Sequence, residues 1–129
     1  IHLDRGLANI QWDRTEAWTR EHLLRPPRAL AEGRGWREEQ TGLHELEFIE
    51  TRRLWCTESV PRDTQGTVHV LCLVEGCEAV IERPSGAFAP ARIGYAEVVI
   101  VPAGVGAYTV GPAGEAEAPL AILTAFVRA

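Results

Sequence analysis

The 129-residue chain has no methionine and no lysine, so all 13 of its basic side chains are arginine. A lysine-free composition is associated here with a GC-rich bacterial genome. A chain that begins at Ile1 without an initiator is expected to be a fragment, a processed product or a trimmed piece of a longer protein. No apolar run approaches the roughly 20 residues that a bilayer-spanning helix needs, and no membrane partner is expected. Positive charge is also scarce. Thirteen basic against 18 acidic residues leave a net charge of −5, which argues against a nucleic-acid surface. The three cysteines, Cys56, Cys72 and Cys77, are an odd set without zinc or redox spacing. With no signal peptide, a reducing cytoplasm is the expected compartment. Cys72, within an apolar run, reads as a small core residue.

What remains is one domain's worth of chain with 46% hydrophobic and 24% charged residues, a globular composition. Leu3, Leu7 and Ile10 at helical spacing predict a short helix, and Asp13 with Glu16 resembles a capping box for a second helix running to Leu24. Pro26-Pro27 ends it. Residues 29–41 are charged and contain glycine, and are expected to form a surface connector. From Leu43 every cue is β. Strands are expected over 45–56, 67–74, 78–82, 87–93, 97–101, 107–110 and 120–127, with turns at Glu75-Gly76 and Pro84-Ser85-Gly86. This spacing predicts an all-β sandwich or barrel. The domain division follows: an N-terminal helical and connector segment, 1–42, packing on a barrel, 43–129.

Three strands, 67–74, 97–101 and 120–127, are apolar on both faces. An antiparallel barrel wets one face, so a cover is expected, either the N-terminal segment with Trp12 and Trp18 or a neighbouring domain or second subunit.

Between the expected strands at 97–101 and 107–110, Pro102-Ala103-Gly104 forms a corner. The unit A-E-V-V-I-V-P-A-G-V-G-A-Y-T-V at 96–110 resembles the second conserved motif of a cupin barrel, with Ala107 where metal cupins carry a histidine. If Gly76 closes the first such motif, the histidine pair falls at Arg62 and Thr64 and the carboxylate at His69. That resemblance implies a cupin-type double-stranded β-helix, a small jelly-roll barrel, with no metal site.

The order of further segments resembles the C-terminal part of short-form bacterial type I mannose-6-phosphate isomerases. Those segments are I-H-L-D-R-G-L-A-N-I-Q-W-D at 1–13, a Pro-rich connector at 25–28, F-I-E-T-R-R-L-W at 48–55 and H-V-L-C-L-V-E-G-C-E-A-V at 69–80. Ala96 departs from the glycine usual there. The resemblance implies a parent that interconverts mannose 6-phosphate and fructose 6-phosphate, with its zinc held by an N-terminal cupin outside this chain. No catalytic, metal-binding or cofactor-binding residue carries over. Implied partners are that N-terminal catalytic domain or a second copy of this chain, with a sugar phosphate as candidate ligand. The competing expectation is a stand-alone, metal-free sugar-binding or sensory cupin.

Candidate ligand contacts are His69, Arg53 and Tyr108. His69 is either a core histidine satisfied by one hydrogen bond or a polar contact in a vestigial pocket. Arg52 and Arg53 must face opposite sides of their strand, so one faces the interior or a partner. Either can make bidentate contacts with phosphate or carboxylate, or pair with Glu50, Glu58 or another carboxylate. His2, His22 and His44 are scattered without mutual spacing. Gly104 and Gly106 lie between strands, so no dinucleotide-binding loop is present.

Overall fold

A computed structural model of the chain describes residues 2–41, 47–86, 88–114 and 118–128. Two short helices, α1 (Leu3–Ala8) and α2 (Glu16–His22), precede ten strands. These are β1 (Arg28–Gly33), β2 (Trp36–Gln40), β3 (Ile49–Cys56), β4 (Val60–Asp63), β5 (His69–Glu75), β6 (Glu78–Glu82), β7 (Ala91–Gly94), β8 (Val98–Val101), β9 (Ala107–Pro112) and β10 (Leu120–Val127). All described pairings are antiparallel, in a six-stranded sheet ordered β1-β2-β3-β10-β5-β8 and a four-stranded sheet ordered β4-β9-β6-β7. The all-β jelly-roll expectation is met.

Alternation along the strands builds the core. Leu54 and Cys56 of β3, Leu71 and Leu73 of β5, and Leu120 and Ile122 of β10 face inward from the large sheet. Val60, Ala79, Ile81, Ile93, Tyr108 and Val110 face them from the small one.

Residues 28–40 are not a connector. They form the β1–β2 hairpin and extend the large sheet through β2 paired with β3. The strand signal was weak because β1 has no buried residue and β2 reads W-R-E-E-Q. Cross-strand ion pairing and the turn at Gly35, whose φ is +70°, do the work that β-branched residues normally do. β4 was also missed, being four residues long and containing Pro61, which an edge strand tolerates. The expected strand starts at Glu45 and Ala87 lie outside the described residues.

The helices are shorter than expected and neither contains a buried residue. The cap of α2 is Thr15, whose side chain accepts from the Trp18 amide, not Asp13. Trp12 is 71% exposed. Trp18 stacks on His22 with ring centroids 4.6 Å apart and lies under the Arg14 guanidinium. The tryptophans expected to cover the barrel are thus exposed or engaged in local contacts. Among the described residues, no helix is long and apolar enough to cross a membrane.

Several turns carry positive φ angles, and three of them bear on the fold. At Gly76 φ is +102°, and a Cβ there would overlap Leu120 Cδ2. In the Pro102 corner the left-handed angle falls at Gly106 (φ +65°), not at Gly104. Ala96 adopts φ +63° despite its side chain, where glycine avoids a cost of roughly 1–2 kcal/mol. Ala96→Gly is therefore expected to raise unfolding stability by about 0.5–1 kcal/mol after the extra chain entropy of glycine is subtracted. A urea unfolding midpoint that stays put or falls would show that Ala96 carries no strain.

Candidate functional site: the barrel mouth

One end of the barrel is polar. Glu38 projects inward from β2, Arg52 from β3, Arg62 from β4, His69 from β5, Tyr108 from β9 and Phe126 from β10. Each position follows from two-residue alternation with the apolar core positions of its own strand. Arg52, Pro61, Arg62, Asp63, Gln65, His69 and Phe126 line a cavity of ≈ 340 Å³ there.

Two contacts tie the sheets together across this mouth. Glu38 Oε1, from the large sheet, stands 2.6 Å from Arg62 Nη2, from the small one. His69 Nδ1 and the Tyr108 hydroxyl are 2.9 Å apart, again one from each sheet. Glu38 and His69 are both buried, at 6% and 5% exposure. The second Glu38 oxygen lies 3.9 Å from Arg52, which also pairs with Glu50 and sits over the Phe126 ring. Thr64 donates to the Ala103 carbonyl at 2.7 Å and fastens the Pro102 corner to β4.

The titration behaviour follows from this packing. Burial, then the positive charges of Arg62 and Arg52, hold the His69 imidazole below its ordinary 6.5. In the tautomer that carries its proton at Nε2, the neutral ring accepts at Nδ1 from the Tyr108 O–H. Burial pushes the Tyr108 hydroxyl up, against the opposing pull of Arg62, which keeps that proton in place. Burial lowers Arg62, but Glu38 and Tyr108 beside it outweigh the loss and hold the guanidinium above its ordinary value. Cys56 is pushed up to about 11, chiefly by burial, and is no nucleophile.

Of the three sequence candidates, His69 and Tyr108 meet at the mouth and Arg53 does not. Arg53 points to the outer face of the large sheet and pairs with Glu39. Its neighbour Arg52 occupies the inward position. Ala107 is exposed, and the side chain entering the barrel at that corner is Tyr108. Cys72 is half-buried on the outer face and lies outside the core. His22 packs on Trp18, and His44 lies outside the described residues. Glu38 and Phe126 were missed as site residues, and Arg52 was weighed only as the alternative to Arg53. For Glu38 the signal was obscured by a run of charges, although Trp36, Glu38 and Gln40 share one strand parity.

The positions aligned with metal ligands hold Arg62, Thr64, His69 and Ala107, with Tyr108 the side chain that enters the barrel at the corner. The Arg62 guanidinium, 11% exposed, stands among them and repels a cation, so these residues do not fit a metal ion. Among the described residues no cluster of three or more His, Cys, Asp or Glu could hold one.

No protein-family model matches the chain, and no curated protein matches it in sequence. Solved structures do match. An ectoine synthase from P. lautus is 12% identical with a TM-score of 0.58, over 75% of this chain and 67% of that one. An RmlC-like cupin from Shewanella frigidimarina is 12% identical with a TM-score of 0.57, over 80% and 85%. An HTH-family transcriptional regulator from Vibrio cholerae is 6% identical with a TM-score of 0.57, over 74% of this chain and 52% of the regulator, about half its length. At these identities the likeness is one of fold, and the fold is the cupin jelly-roll barrel.

Since the folded-state pKa of His69 is depressed, the unfolded chain binds the extra proton first. Its stability contribution is complete above pH 6.5 and is lost as pH falls from there through the folded-state value. His69→Gln is expected to flatten the acid limb of the stability curve below pH 6.5 while leaving the slope above it unchanged. Parallel wild-type and variant curves across that window would refute the assignment.

Proposed function

We propose that the chain is a metal-independent cupin domain that holds a small polar ligand of the sugar-phosphate class at its barrel mouth, as the non-catalytic C-terminal lobe of a mannose-6-phosphate isomerase-like protein. One observation carries the ligand-binding reading: Arg52, Arg62 and His69 line one cavity at the mouth beside Gln65 and the Phe126 ring. Guanidinium N–H groups suit a phosphate, while Asp63 and the Gln65 amide suit sugar hydroxyls. The parentage rests on the order and spacing of the segments at 1–13, 25–28, 48–55, 69–80 and 96–110.

In this role the chain performs no proton transfer of its own. His69 is held neutral and hydrogen-bonded to Tyr108, Tyr108 is held protonated, and Glu38 is committed to Arg62. These groups position Arg62 and shape the cavity. Arg52 has donors that its carboxylate partners leave over, and is the side chain expected to reach the ligand.

The competing reading is a stand-alone sugar-binding or sensory cupin. It rests on the same cavity residues, Arg52, Arg62, His69 and Phe126. Both readings require ligand at the same mouth and leave this chain without activity of its own; only the first needs a catalytic lobe elsewhere. The isolated chain is expected to show no turnover of mannose 6-phosphate with added zinc.

Saturating mannose 6-phosphate or fructose 6-phosphate is expected to stabilise the wild-type chain by ~2–4 kcal/mol in a thermal shift assay. Arg52→Ala should abolish that shift while remaining folded. The absence of any shift across a panel of sugar phosphates, or a shift retained by Arg52→Ala, would refute the mouth as the binding site.

A further inference from the structure

A second cavity, of ≈ 650 Å³, lies at the tip of the β1–β2 hairpin and shares no lining residue with the mouth. Its walls are fixed by local structure. The Thr57 amide and hydroxyl both donate to the Gly35 carbonyl, at 2.8 and 3.2 Å, and pin the hairpin tip to the end of β3. The Trp36 indole lies across Gly33, where a Cβ would stand 2.5 Å from its Nε1, so glycine is what admits the ring. Trp55 alternates with the inward Leu54 and Cys56, and therefore stands on the outer side of the sheet, in register with Arg37 of β2.

Two indoles and two uncommitted charges define the chemistry of this cavity. Trp36 and Trp55 supply flat apolar surface. Trp55 Nε1 is buried without an acceptor among the described residues. A phenyl ring would fill that position without stranding a donor, so what the indole adds is its larger face. Arg37 stands 5.2 Å from that ring, and Glu32 lies opposite Arg37 across the hairpin ladder. Arg53, the other guanidinium beside the ring, is committed to Glu39. Among the described residues neither Arg37 nor Glu32 makes an ion pair or a side-chain hydrogen bond.

Size and charge select the occupant. The volume falls within the roughly 300–1,000 Å³ of small-molecule sites, which combine aromatic walls with a few polar groups. One free guanidinium and one free carboxylate leave the lining with no net charge. A phosphate would lie beside Glu32 and an ammonium beside Arg37, so like charges oppose a simple anion and a simple cation alike. A neutral ring with apolar C–H faces and a hydroxyl edge meets every group present. Its faces cover the indoles, and each hydroxyl can donate to Glu32 or accept from Arg37. We infer that the hairpin-tip cavity is a binding site for a neutral, unphosphorylated saccharide. The inference does not rest on ligand binding at the mouth.

The chain has four tryptophans, at 12, 18, 36 and 55, whose indole N–H signals can be followed by heteronuclear NMR. The mouth cavity contains none of them, so Trp36 and Trp55 report the hairpin tip. Titration of the whole chain with glucose, mannose and maltose should move those two signals saturably for at least one sugar, leaving Trp12 and Trp18 in place. Trp55→Phe should keep the fold and weaken that binding at least tenfold. If it fails to fold, Arg37→Ala, at an exposed position, should weaken binding to the same extent. Three results would overturn the inference: no saturable movement of either signal with any of the sugars, a folded variant that binds as tightly as the wild type, or signals that respond to glycine or inorganic phosphate and not to the sugars.

Discussion

The Glu38–Arg62 ion pair is the constraint on which the mouth depends. Each partner comes from a different sheet, Glu38 is buried and the Arg62 side chain is only 11% exposed, so removing either leaves the other charge largely shielded from water. Breaking such a pair by removing one side costs about 3–5 kcal/mol, because an uncompensated charge is left behind. The penalty fixes more than two side chains. It holds β2 against β4 and sets the Arg62 guanidinium beside Tyr108, whose hydroxyl bonds His69 Nδ1. Burial of charge adds little net stability here, but it determines how the two sheets meet at one end. The apolar core beneath runs from Leu54 to Ile122 and includes the Tyr108 ring.

This division between core and mouth explains what was legible in the sequence. β6 and β10 were read to the residue, and β3, β5, β8 and β9 with shifts of a few positions, because Val, Ile and Leu recur there at strand spacing. The β1–β2 hairpin was not legible. Its residues are mostly charged or small, and they become a strand by pairing with β3, a long-range fact that local composition does not carry. Missing the hairpin also meant missing Glu38, the partner that makes sense of Arg62.

The site was half legible for a related reason. Alternation requires Arg52 and Arg53 to part company, but assigning which one enters the barrel needs the register of β3 against β10 and β2. Leu54 and Cys56 are inward, so Arg52 is inward and Arg53 pairs with Glu39 outside. The corner after Pro102 posed the same problem: counting residues put Ala107 at the mouth, whereas the turn through Gly106 delivers Tyr108. Motif spacing identified the correct wall of the barrel and erred by one residue, which in a strand reverses the face.

That a guanidinium and not a metal ion organises the barrel mouth is the central proposal, and metal content tests it most directly. The account predicts that protein purified without chelator, analysed by inductively coupled plasma mass spectrometry, holds zinc, iron and manganese far below one equivalent, before and after incubation with each ion. One tightly held equivalent of any of them that is lost on mutation of His69 or Tyr108 would contradict it.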